Sequence, residues 1–298
     1  MSEPVIIAGA CGYGVWPSNS IEGVRGCLDA PVHGIEIDVH LTADGHVVAH
    51  HDYRLHADQS RLDGTWLSSP GPLLRDADLA SLKRFDLGRA RPGSRRAAHA
   101  HNEIDGIFLP TLPEILDVMK AAQGPRRQLF VEIKTDPAGY RESADPVRLL
   151  DQVLADLAAT DWLSASKIIA FDWSVLRRLS SIAPGMATAH LTVPEAMHSQ
   201  IVRDAAGDSP WADGCDPRHH GGSDLRAIAA HGGEEWSPHV WDVTEARMAE
   251  AKTLGLRVGV WGLGSAADID RMAAWGADAL TVSGPVWSVG QSKAGPAP

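Results

Sequence analysis

The sequence predicts an α/β fold, a (β/α)8 or TIM barrel with an insertion after its second strand. Three observations lead there. Short apolar runs alternate with longer helical periods, the pattern of βα units wound around a parallel sheet. Eight such runs can be counted, the number that closes a barrel. At 298 residues the chain also suits one barrel of about 250 residues with room for an excursion.

Strands are expected at Val5–Ala8, Gly34–Val39, Leu129–Lys134, Lys167–Ala170, Ala187–Leu191, Glu234–Ser237, Arg257–Trp261 and Ala279–Val282. Helical periods fall between them. In LPEILDVMKAA, Leu112, Ile115, Leu116 and Met119 share one face. DPVRLLDQVLADLAA behaves likewise, and TEARMAEAKTLG has Thr244 as an expected cap and Gly255 as its stop. Residues 52–110 break the alternation: they are rich in Arg, Pro, Gly and Asp and carry no long helical period. A stretch of that length inside a barrel reads as a functional excursion over one mouth. The barrel domain is expected over residues 1–290, followed by a disordered Gly/Pro-rich tail, 291–298.

Composition narrows the function. Lys plus Arg is 27 and Asp plus Glu 38, a net charge of −11. That balance argues against nucleic-acid binding, which needs a basic face. Cys11, Cys27 and Cys215 form no closed disulfide set and no metal-ligand spacing, which points to a reducing compartment. With no signal-peptide pattern and no apolar run long enough to span a bilayer, the chain is expected in the cytoplasm.

The chemistry gathers in GIEIDVH. A strand's period of two places Glu36, Asp38 and His40 on one face, with Ile35, Ile37 and Val39 on the other. Neighbouring carboxylates repel unless a cation lies between them, and the C-terminal end of a barrel strand is where sites are built. LFVEIKTDP repeats the signal, with Glu132 and Lys134 on one face. Three carboxylate donors suit a hard divalent cation, Mg²⁺ or Ca²⁺, better than Zn²⁺. Asp44-Gly45 is a hairpin signal that folds His50, His51 and Asp52 back beside this strand, so that one histidine turns inward. A histidine near such a cation is a natural general acid or base.

IEIDVHLTADGHVVAHHD closely resembles the signature of the glycerophosphodiester phosphodiesterases. HDYRL, LPTLPEIL, VEIKTDP, FDWSVLRRLSSIAPGMATAHLT, WSPHVWDVT, LGLRVGVWGL and GADALTVSGP follow that family's pattern in order. The resemblance implies a (β/α)8 barrel and a metal-dependent phosphodiester hydrolase acting on small glycerophosphodiester-like molecules. It puts the metal-binding carboxylates on Glu36, Asp38 and Glu132 and the catalytic histidine on His51, followed by Asp52. Lys134 falls on a phosphate-contacting lysine and Trp261 on a pocket-lining aromatic.

One segment departs from the pattern. The family carries His-Arg-Gly after the first strand, then Pro-Glu-Asn-Thr. Aligned on Pro17-Ser18-Asn19-Ser20, the first three positions are Gly9, Ala10 and Cys11; aligned on a shared glycine, they are Ala10, Cys11 and Gly12. Neither frame supplies a histidine or an arginine. VWGLGS lacks the family's asparagine, and Ser283 stands where an aspartate is common. Three outcomes stay open: a hydrolase with altered chemistry, a lyase or isomerase on the same metal site, or a phosphodiester-binding protein without turnover.

Overall fold

A computed structural model describes residues 3–98, 102–194, 197, 207–284 and 286; the expected tail, 291–298, lies outside the described residues. Eight parallel strands close a barrel: β1 (Val5–Ala8), β2 (Gly34–Leu41), β7 (Gln128–Ile133), β8 (Ser166–Ala170), β9 (Ala187–Thr192), β10 (Glu235–Pro238), β11 (Arg257–Leu263) and β12 (Ala279–Val282). Closure comes from β1, which pairs with β12 on one side and β2 on the other. Helices α1 (Ile21–Asp29), α3 (Leu112–Ala121), α4 (Pro146–Ala159), α5 (Trp173–Ile182), α6 (Asp224–Ala230), α7 (Glu245–Thr253) and α8 (Ala266–Trp275) connect successive barrel strands. All eight expected strands are present.

The helices start where their caps allow. Thr111 and Glu114 form a reciprocal capping box on α3, and Leu112, Ile115, Leu116 and Met119 turn into the core as their spacing requires. Thr244 caps α7 through the Arg247 amide, and Gly255, at φ +75°, follows its end. The outward face of β2, Ile35, Ile37 and Val39, packs into the main apolar layer beneath the helices. Its inward face meets a smaller cluster inside the barrel, Ile7, Phe130, Ile169, Ala189 and Leu191.

The excursion is better organised than its composition suggests. β3 (Val47–Ala49) pairs antiparallel with β2, and Gly45 takes the left-handed turn position at φ +86°. Beyond it, β4 (Arg61–Leu62), β5 (Thr65–Trp66) and β6 (Phe85–Asp86) form a small sheet, with the single-turn α2 (Leu79–Leu82) between β5 and β6 in the chain. Val48, Leu55, Leu74, Leu82, Phe85, Leu87 and Leu109 bury together as its own core. That core holds the excursion over the mouth on the β2 side. No helix among the described residues is long and apolar enough to cross a membrane.

Candidate metal centre and mouth of the barrel

Register brings the acidic residues together. Asp38 on β2 pairs with Glu132 on β7, two residues above the Glu36–Phe130 pair. Glu36, Asp38 and Glu132 are all buried, and one carboxylate oxygen from each lies within 4.8 Å of the other two. Lys134 reaches between them, its Nζ 2.9 Å from Asp38 Oδ1 and 2.6 Å from Glu132 Oε1. The lysine expected to meet a phosphate is thus engaged by two of the carboxylates.

The carboxylates are held very differently. Asp38 is drawn down to about 2: burial opposes its ionisation, but the charges of Lys134 and His51 and the Asn19 amide outweigh that. Glu36 moves the other way, well above its ordinary value, because burial and the charges of Asp38 and Glu132 exceed the help from the Ala10 amide and Lys134. Glu132 is also raised, chiefly by burial. Glu36 Oε2 accepts from the Ala10 N–H at 2.7 Å, whereas Oε1 is buried with no hydrogen-bond partner. Lys134 offsets one of the three negative charges and leaves two. An orphaned carboxylate oxygen within a cluster two charges short of neutrality fits a divalent cation, and hard oxygen donors favour Mg²⁺ or Ca²⁺.

Asn19 was not foreseen from the sequence. Its Nδ2 donates to Asp38 Oδ2 at 2.8 Å and its Oδ1 accepts from the Asp38 N–H at 3.0 Å, a two-point clamp. It stands at φ +53°, a conformation asparagine tolerates well. The turn-forming Pro17-Ser18-Asn19-Ser20 run was the available signal, although its partner lies 19 residues away.

The loop after β1 works through its backbone. Ala10 and Cys11 have φ of +44° and +56°, left-handed values that cost non-glycine residues roughly 1–3 kcal/mol each. The turn is held by Gly12 and Tyr13 amides donating to Gly9 O, at 2.9 and 3.0 Å, and it aims the Ala10 amide at Glu36. Burial pushes the Cys11 thiol well above its ordinary value, and the nearby Cys27, Glu36 and Asp38 add to this. A Cβ on Gly9 would lie 3.2 Å from Thr281 Cγ2 and 3.8 Å from Glu36 Oε2, so a side chain there would enter the site.

Three histidines crowd the hairpin, and their surroundings separate them. His40 is buried, packs edge-on against Tyr53, and is pushed down to about 3 by burial and by the charges of His50 and Lys134. His50 is buried too and is depressed to about 4, again chiefly by burial. His51 stands at the mouth with its side chain 60% exposed. Lys134 and burial push its pKa down, but Asp38 and the hydrogen bond to Asp52 prevail and raise it. Its Nδ1 lies 2.8 Å from Asp52 Oδ1, which leaves Nε2 for other partners. Of the three, His51 alone is suited to carry a proton near neutral pH.

Across the mouth, on the β10–β11 side, Trp261 is half-buried and donates from Nε1 to Ser237 O at 3.2 Å. Phe171 and His239 flank its ring at 5.9 and 4.6 Å, and His239 in turn meets Trp241, which is 72% exposed. Phe171, His239 and Trp241 were not singled out from the sequence. Excursion arginines are mostly committed elsewhere: Arg54 pairs with Glu142, and Arg75 donates to the backbone at Tyr140 and Ser143.

Comparison with known proteins places this arrangement. A profile described as the glycerophosphoryl diester phosphodiesterase family matches residues 12–285. A crystal structure of a glycerophosphoryl diester phosphodiesterase homologue from Silicibacter pomeroyi is 27% identical, with TM-score 0.81 over 97% of this chain and 95% of the other. An Oleispira antarctica phosphodiesterase, solved with the product sn-glycerol-3-phosphate, shares the fold at 18% identity and TM-score 0.69, covering 95% and 94% of the two chains. No curated protein matches. The chain thus belongs to the glycerophosphoryl diester phosphodiesterase family and, with it, to the phosphoric diester hydrolases.

Proposed function

We propose that the chain is a divalent-metal-dependent hydrolase of glycerophosphodiester-like molecules that uses His51 as its one side-chain proton carrier. The observation that carries this reading is the orphaned Glu36 Oε1 beside Asp38 and Glu132. Glu36, Asp38 and Glu132 would hold Mg²⁺ or Ca²⁺, with Asn19 and Lys134 fixing the orientation of Asp38. A divalent cation supplies charge neutralisation for a phosphate at this position. The glycerol phosphate part of the substrate is suggested by the product bound to the Oleispira relative.

The side chains divide the remaining work. Water attacks phosphorus, the bond to the leaving alcohol breaks, and His51 Nε2 gives its proton to the departing oxygen. The proton released by the attacking water passes to solvent. Asp52 holds the imidazole through Nδ1. Trp261 and its aromatic neighbours offer a wall for the organic part of the substrate. Free thiols at Cys11, Cys27 and Cys215 fit a cytoplasmic setting.

A second reading, ligand binding without turnover, is favoured by one observation: Gly9, the position from which a side chain would enter beside Glu36, has none. A panel of glycerophosphodiesters with and without EDTA decides between them. The hydrolase reading predicts metal-dependent release of alcohol that His51→Ala lowers about 10²–10⁴-fold. Thermal stabilisation by a diester without any product from the metal-loaded protein would instead establish binding alone. A cyclic phosphate detected by mass spectrometry would establish the lyase route.

A further inference from the structure

The excursion sends one arginine into the site. Arg91 donates its amide to Asp58 O at 2.7 Å, so the residues leading to Arg96 are tied to the excursion, and Asn102 donates to Val15 O, on the loop after β1, at 2.7 Å. Arg96 Nη2 pairs with Asp52 Oδ2 while His51 Nδ1 holds Oδ1 of the same carboxylate. His56 approaches Oδ2 more loosely, at 3.5 Å. The three groups thus form a line, Arg96 to Asp52 to His51, that ends at the imidazole facing the metal centre.

We propose that Arg96 is a positioning residue: supplied by the excursion, it locks the Asp52 carboxylate and through it sets the orientation of the His51 ring. The chemistry is that of a two-ended clamp. A carboxylate held only by a mouth-exposed histidine can rotate about its last torsion, and the imidazole rotates with it. A guanidinium hydrogen bond on the second oxygen restrains that rotation, because both carboxylate oxygens are then held by charged donors. Asp52 is only 22% exposed, so the pair is partly shielded from solvent screening. Burial opposes ionisation of Asp52, yet the hydrogen bond and charge of His51, with the charge of Arg96, hold it far below the usual carboxylate range. Arg96 also acts on Tyr13, where burial raises the phenol and the guanidinium opposes it, so the same cation lies near the loop after β1. A loop without a basic residue and an excursion that brings one to its side make one arrangement.

The role of Arg96 in turnover rests on His51 being the proton carrier; its hold on the imidazole does not. The experiment therefore has two readouts, kinetics on a glycerophosphodiester and the ring nitrogens of His51 by ¹H–¹⁵N correlation in the full-length protein. Arg96→Ala should lower kcat about 10-fold with KM within about twofold, and millimolar guanidinium should restore part of the loss. In Asp52→Asn the same substitution should add little, because the clamp is already open. With the ring titrated to its neutral form, the His51 nitrogens should report mainly the Nδ1–H form in the native protein, shift toward a mixture of tautomers in Arg96→Ala and stay native in the control Arg95→Ala. Unchanged His51 nitrogens in Arg96→Ala would overturn the proposal. So would a change confined to KM, which would make Arg96 a substrate contact. If the native protein turns over no diester, the hydrolase reading falls, and the nitrogen spectra alone decide for or against the clamp.

Discussion

A buried acid–lysine pair and a buried acid cluster with a lysine sit inside the same barrel and are built in opposite ways. Lower down, Lys167 Nζ meets Glu235 Oε2 at 2.6 Å, with the Phe130 ring 4.7 Å from the ammonium and Arg257 3.8 Å from the same carboxylate oxygen. Charge there is matched without help. Higher up, Glu36, Asp38 and Glu132 share only Lys134, and one Glu36 oxygen has no partner. The lower group closes on itself as a structural ion pair does, whereas the upper one leaves a carboxylate oxygen unpartnered among the described residues, the feature on which the proposed cation rests. Sequence alone does not separate them, since both place acid and lysine on parallel strands of the same barrel.

Substitutions should therefore act with opposite sign at the two places. Glu235→Gln strands a buried ammonium and should destabilise the protein by about 3–5 kcal/mol in denaturant unfolding. A loss under about 1 kcal/mol would make the lower pair no more structural than the upper cluster.

The next largest effect concerns the space beside the upper cluster. Gly9→His starts its side chain beside Glu36, its Cβ 3.2 Å from Thr281 Cγ2, and should raise metal-dependent kcat about 10-fold or more. An unchanged or lower kcat, with metal affinity retained, would separate this position from the reacting centre.

Glu36→Gln should do the reverse of Glu235→Gln and stabilise the metal-free protein, because burial and the charges of Asp38 and Glu132 oppose ionisation of Glu36. Glu36 has a folded pKa above its ordinary value of 4.5. Its contribution is fully present below that value and is lost as pH rises through the raised folded pKa. The advantage of Glu36→Gln, read from unfolding midpoints, should therefore grow with pH from about 4.5 upward. An advantage that shrinks with rising pH would show Glu36 to be favourably ionised in the fold.

Much of this was legible from the residues. The barrel strands declared themselves as buried apolar runs, and the period of two put Glu36 and Asp38 on one face before any coordinates. Glu132 joined them because parallel register sets it opposite Asp38. The rest depended on contacts that leave no local pattern. Asn19 and Arg96 reach partners 19 and 44 residues away, through single side chains whose direction no periodicity encodes. The two-residue strands of the excursion are too short for any alternation to show. Lys134, expected at a phosphate, also lies against Asp38 and Glu132, a contact the strand period alone does not reveal.

The most direct test is a calorimetric titration of Mg²⁺ and Ca²⁺ into the metal-free protein at neutral pH. The account predicts one ion per chain, with binding lost in Glu36→Gln but kept in Gly9→His. Absence of binding by either ion, or equal binding by Glu36→Gln, would contradict it.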